Sequence, residues 1–232
     1  MERHHAAERH LYAEVLPALK QIKKEHPGMI IGAVTDGKAN PKFMTFTLAQ
    51  YFDFCINWED DQGGRSKFFQ ELSMVEGNAE LTWIYNATYE KGRELSEAAA
   101  AIRTAKNSDD GTTEEDENTE VSTLPVIGRD NSIWIHVGDD LAYDVGGSAQ
   151  CGAKTVLVEL AEKYGQTARM RFTPDYIQIN EACQPEWSVA SVEELKARAV
   201  MNQAAVEHVN EKLEYWHLLP EIINKILEDE SK

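Results

Sequence analysis

Ile133-Trp134-Ile135-His136-Val137-Gly138-Asp139-Asp140-Leu141-Ala142-Tyr143-Asp144-Val145 is the stretch from which the rest of the chain can be read. Its apolar first half predicts a strand over Ser132–Val137. The strand delivers three carboxylates, Asp139, Asp140 and Asp144, to its own end and to the start of a helix that runs to about Ala149. One acid at a helix start is ordinary, because a carboxylate caps free amides and favours the positive end of the helix dipole. Three acids between residues 139 and 144 exceed what one cap requires. Hard oxygen ligands of this kind suit Mg²⁺, which retains several of its waters when bound.

Working outward, Cys151-Gly152 reads as a helix-ending turn and Thr155–Val158 as the next strand. Upstream, Leu11, Val15, Leu16, Leu19 and Ile22 recur at helical spacing and His26-Pro27-Gly28 ends the pattern. Met29–Val34 follows as a short apolar run, predicting a strand buried on both faces that turns at Thr35-Asp36-Gly37. An amphipathic stretch over Phe43–Tyr51 leads to a further strand, Phe52–Asn57. Ser66 to about Arg103 is helical in composition, with breaks near Gly77-Asn78 and at Gly92, whereas residues 107–120 (NSDDGTTEEDENTE) have no apolar side chain and predict a mobile acidic loop. Strands alternating with helices imply a mainly parallel, doubly wound, Rossmann-like α/β sheet. Such sheets take ligands at the carboxyl ends of their strands.

The last third changes character. A polar loop over Gly165–Trp187 precedes two helical segments, Val192 to about Leu213 and Leu218–Leu227. Leu219, Ile222, Ile223, Ile226 and Leu227 form a stripe suited to packing on the same domain or to a homodimer through these C-terminal helices. The expected organisation is an α/β core over residues 1–164 and a loop and helical extension over 165–232.

The 232 residues are 42% hydrophobic, sufficient for a substantial core. Twenty-three basic residues against 40 acidic ones give a net charge of −17, which repels phosphate backbones and anionic membranes, so neither nucleic acid nor a membrane is an expected partner. No apolar run approaches the roughly 20 residues that cross a bilayer. Cys55, Cys151 and Cys183 are odd in number and widely spaced, so they are expected as buried free thiols in a reducing compartment, the cytoplasm. His4, His5 and His10 read as part of an exposed N-terminal segment and not as a metal site. Gly147, Gly152 and Lys154-Thr155 do not make a phosphate-binding P-loop, since the Lys does not directly follow the second Gly.

His136-Val137-Gly138-Asp139-Asp140-Leu141-Ala142-Tyr143-Asp144-Val145-Gly146-Gly147-Ser148-Ala149, with Cys151-Gly152-Ala153-Lys154-Thr155-Val156 after it, is similar to the fourth motif of haloacid-dehalogenase-like (HAD) hydrolases. The resemblance implies a Mg²⁺-dependent phosphohydrolase in which Asp139 is the principal metal ligand, Asp144 the second and Asp140 a supporting one. Val34-Thr35-Asp36-Gly37 resembles the second motif, which implies that Thr35 hydrogen-bonds the phosphoryl group of a phosphorylated small molecule. The third motif supplies a Lys; Lys67 falls in range, with Phe68 where the motif often has Pro. A competing alignment sets Trp83-Ile84-Tyr85 at that motif's end and leaves no Lys at the required place.

The family's first motif, an Asp-x-Asp pair after an N-terminal strand, is not found before Thr35. In the family's sheet the strand bearing that nucleophile lies between those assigned here to Met29–Val34 and Ser132–Val137. Its neighbours would stand roughly 9.6 Å apart, twice the usual spacing, with unpaired backbone groups along both edges. The chain is therefore expected to be a fragment of a longer protein, to pair those two strands directly, or to fill the slot with another segment. As it stands it is expected to be catalytically inactive, and the alternative is a non-catalytic HAD-like module that binds a partner or ligand. A receiver-like signalling domain would need a phosphoacceptor Asp at a separate strand end, and none is found.

Overall fold

The computed structural model describes residues 2–35, 39–57, 79–109, 132–166 and 192–230. They form helices α1 (Glu2–Glu8) and α2 (Val15–Glu25), strands β1 (Gly32–Thr35) and β2 (Phe54–Asn57), helix α3 (Ala79–Asp109) and strand β3 (Ile135–Gly138). A π-helical segment, Leu141–Gly147, passes into a single turn α4 (Ser148–Gln150), followed by β4 (Lys154–Val158), α5 (Val192–Ala205), β5 (Glu211–Leu213) and α6 (Leu219–Glu230). The protein is mixed α/β, and its described strands are short and parallel. β1 pairs with β2, and a second sheet runs in the order β3-β4-β5. The strands expected to flank the missing nucleophile strand, β1 and β3, thus belong to different sheets and are not paired with each other.

Contacts divide the chain into two units, Met1–Phe69 with Asn86–Ile133, and Gln70–Tyr85 with Trp134–Lys232. In the first, Leu19 of α2 meets Met44 and Leu48, with Leu11, Val15, Leu16, Ile31 and Phe52 packed around them. Asp53 ties the two strands together at their entry: its carboxylate accepts from the Ile31 amide at 2.7 Å and from Lys23 Nζ at 2.8 Å, and its own amide donates to the Ile31 carbonyl. β1 starts three residues later than the apolar run predicts and is only partly buried. Met29 is still in a turn closed on His26, its carbonyl takes the Lys23 ammonium, and among the described residues β2 alone pairs with the strand.

Phe43–Tyr51 is not a helix. Asn40 caps a single 3-10 turn, Pro41–Phe43, after which the Glu8 carboxylate accepts from the amides of Phe46 and Thr47 and from the Thr47 hydroxyl. Glu8 thus competes with helical bonding: the Thr47 amide is shared between Glu8 and the Met44 carbonyl, and Phe46 is left 79% exposed. The same docking of α1 corrects the reading of His4, whereas His10 is exposed as expected. His4 is buried, its Nε2 accepting from the Asn40 amide at 3.2 Å and its ring set edge-on to Phe43. Helix α3 runs without interruption past Gly92, since one glycine costs only about 1 kcal/mol among good helix formers. It takes in Asn107–Asp109, the first residues of the expected loop; residues 110–120 lie outside those described.

In the second unit β4 is the central strand, buried from Thr155 to Val158. The segment read as helical from Val192 to Leu213 ends its helix at Ala205, turns through Val206–His208 and becomes β5. Asn210 makes the change: its side-chain oxygen accepts from the Thr155 amide at 2.8 Å and its own amide donates to the Thr155 carbonyl. No periodicity in three strand residues could reveal this, because the strand depends on a partner 55 residues away. Within α6 the expected stripe is buried at Leu219, Ile222, Ile223 and Ile226. No helix among the described residues is long and apolar enough to cross a membrane.

Leu213→Ala should lose about 2–5 kcal/mol of stability in urea denaturation, because its side chain is fully buried beside β4. Val206→Ala, 57% exposed in the preceding turn, should change it by less than about 0.5 kcal/mol.

Candidate functional site

The acids of the opening stretch come together at the carboxyl end of β3. Gly138 ends that strand with its Cα against the Asp144 side chain; an added Cβ would lie 2.3 Å from the Asp144 carboxyl carbon, so only glycine fits. Asp140 adopts an extended backbone and caps the following segment, its Oδ1 accepting from the Tyr143 amide at 2.9 Å. That segment is wound as a π-helix, with the Val145 amide reaching the Asp140 carbonyl, and the extra residue in its turn brings Asp144 back over Gly138.

Asp144 is enclosed by donors. Tyr85, from the first turns of α3, donates its hydroxyl to Oδ1 at 3.0 Å; His136 Nε2 lies 3.4 Å from the same oxygen; the Asp140 amide donates to Oδ2 at 3.0 Å. Burial pushes the Asp144 carboxyl up, but His136, the Asp140 amide and the Tyr85 hydroxyl outweigh it and hold the group below the ordinary aspartate range. Burial, and then the Asp144 charge, drive the Tyr85 phenol far above the usual tyrosine range, so it acts as a fixed donor. The Tyr85 ring packs edge-on against His136, with Trp134 beyond it.

Asp140 is engaged as well. Arg198 of α5 lays its guanidinium over the Tyr143 ring, 3.7 Å from the centroid, and pairs with Asp140 Oδ2. Asp139 differs: it is exposed, and Gln166 Nε2 donates to its Oδ2 at 3.5 Å. Gln166 is itself held at the end of β4 by the Val158 carbonyl and the Leu160 amide. Partial desolvation, and then the nearby Asp144 charge, raise the Asp139 carboxyl above the ordinary aspartate value.

The five residues expected to act together are therefore distributed unevenly. Asp139, Asp140 and Asp144 are gathered within the second unit. Thr35 is the last residue of β1, in the first unit, where it pairs with Asn57. Lys67 lies outside the described residues, as does Asp36. Sequence reasoning missed His136, Tyr85, Gln166 and Arg198 as site residues. His136 could have been found, since a polar ring inside an apolar strand calls for a partner. Tyr85 appeared only at the end of the competing third-motif alignment, and nothing in the sequence pointed to Arg198.

The chain's own donors take up part of the capacity that a Mg²⁺ ion shared by all three acids would need. Both oxygens of Asp144 and both of Asp140 accept from the chain's own donors, and among the described residues no group of three or more His, Cys, Asp or Glu side chains is placed to hold a metal ion. Asp139 is the most exposed of the three.

Tyr85→Phe removes a hydrogen bond to a buried charge and should cost about 1–3 kcal/mol at neutral pH. Because the folded pKa of Asp144 is depressed, its contribution is complete above the unfolded value of about 3.9 and is lost as the pH falls through the lower folded one. Urea titrations should therefore show the Tyr85→Phe deficit shrinking in strong acid. Asp139 has the opposite sign. Its raised pKa means that stability is lost as the pH climbs from the unfolded value through the folded one, so Asp139→Asn should raise the melting temperature at pH about 7 and have no effect once the carboxyl is protonated. No protein-family model matches this chain, and neither a curated protein nor a solved structure is significantly similar to it, so its chemistry is read from these side chains alone.

Proposed function

We propose that this chain is a non-catalytic module of HAD-like, doubly wound descent, cytoplasmic, which keeps the family's acidic loop as a scaffold and binds a protein partner or a phosphorylated small molecule. The observation that carries this reading is the state of Asp140 and Asp144. Metal-assisted phosphoryl transfer needs carboxylate oxygens aimed at a cation and a nucleophile beside them. Here those oxygens point inward at Tyr85, His136, Arg198 and backbone amides, and none of the 232 residues matches the family's Asp-x-Asp nucleophile. The position of the loop at the carboxyl end of a parallel strand, where α/β sheets take ligands, supports a binding role.

A second reading, a Mg²⁺-dependent phosphohydrolase of which this chain is one part, is favoured by Asp139. Its exposed carboxylate sits in the field of two other acids, and that field attracts a cation. In that reading Asp139 is the one direct metal ligand, Thr35 orients the phosphoryl group and Lys67 offsets its charge.

Hydrolysis of an aryl phosphate with millimolar Mg²⁺ separates the two. The purified chain is expected to give no turnover above the uncatalysed rate and no saturable heat in a Mg²⁺ titration. Mg²⁺-dependent turnover abolished by Asp139→Ala would end the non-catalytic reading.

A further inference from the structure

The three acids of the loop stand close together on a chain that is already strongly acidic, and like charges at this spacing need a counter-charge. The geometry identifies its source. Arg198 reaches the loop from α5, a different element, and its side chain is 18% exposed while that of Asp140 is 26% exposed, so the pair is largely out of water. Its guanidinium is stacked on the Tyr143 ring, part of the π-helical segment that Asp140 caps. The cation therefore touches the loop twice, by charge at Asp140 and by its face at Tyr143. A planar guanidinium can do both at once, and a lysine ammonium cannot.

We propose that Arg198 is the resident cation of the acidic loop, holding the charge balance that a divalent metal would otherwise supply, so that the loop is assembled without metal and becomes metal-responsive only when Arg198 is removed. Asp140 and Asp139 are adjacent in sequence at the end of β3. With the guanidinium gone, Asp140 Oδ2 is freed next to the exposed Asp139, which makes two carboxylates, the number with which Mg²⁺ is commonly held while keeping its waters. Arg198 would then act as a positioning residue for Asp140 and Tyr143. This role rests on the non-catalytic reading only in that Asp140 is not a metal ligand in the native chain.

The test is thermal melting of the full chain in EDTA and in millimolar Mg²⁺, for wild type, Arg198→Met, Arg198→Lys, Asp140→Asn and the double variant Arg198→Met/Asp140→Asn. Asparagine caps a helix as well as aspartate does, so Asp140→Asn removes the charge and keeps the cap. Wild type is expected to melt at the same temperature in both media. Arg198→Met is expected to melt about 5 °C lower in EDTA and to regain part of the loss in Mg²⁺. Arg198→Lys should fall between them. The double variant should melt above Arg198→Met in EDTA and show no Mg²⁺ response. Arg198→Met melting like wild type, or wild type gaining as much from Mg²⁺ as the variant, would overturn the proposal. If Arg198→Met does not fold, folding of the double variant supports the proposal, whereas failure of both assigns Arg198 to packing alone and overturns it. Aryl phosphate turnover by wild type, measured in parallel, bears on the non-catalytic reading and leaves the melting comparison to decide the role of Arg198.

Discussion

A carboxylate taken out of water has to be met by donors, and the second unit is arranged around that requirement at Asp144. Gly138 gives up a side chain so that the carboxyl can lie on the strand. The segment after Asp140 is wound one residue wider than an α-helix so that the carboxyl arrives there. Tyr85 comes from a helix almost 60 residues upstream in order to donate its hydroxyl, and His136 uses its position in β3 to face the same oxygen. Each of these features is costly or uninformative by itself: a glycine in a strand, a π-turn, a buried phenol, a histidine among apolar residues. Together they satisfy one partly buried charge, and leaving it unmatched would cost about 1–3 kcal/mol.

The neighbouring acids show how a difference of a few ångströms in surroundings separates chemically identical groups. Asp144, saturated with donors, is kept ionised; Asp139, exposed but facing its charge, is biased toward protonation; Asp140 is held by a guanidinium from another element. The loop therefore contains one carboxylate that is structural, one that is paired and one that remains available to solvent.

Much of this was legible in the sequence, for identifiable reasons. The strand expected over 132–137 and found at 135–138, the acid positions, the turn at Gly152, where φ is +89°, and the buried stripe of α6 all follow from short-range patterns in periodicity or composition. What could not be read depends on partners remote in the chain. β5 is a strand because β4 is beside it, and Phe43–Tyr51 is not a helix because Glu8 captures its amides. The same holds for the site: the acids stand in one motif, whereas Tyr85 and Arg198, which decide what the acids do, lie about 60 residues to either side of it.

The membership of the second unit, Gln70–Tyr85 together with Trp134–Lys232, has a consequence for synthesis on the ribosome. Tyr85 leaves the exit tunnel long before the carboxylate it serves, and the central strand β4 emerges before β5, which supplies its second edge. The three strands can add in the order of synthesis, β4 onto β3 and β5 onto β4, but the sheet stays incomplete until Leu213 has been made. Until then the far edge of the apolar strand β4 is open to the cell's chaperones and to other nascent chains.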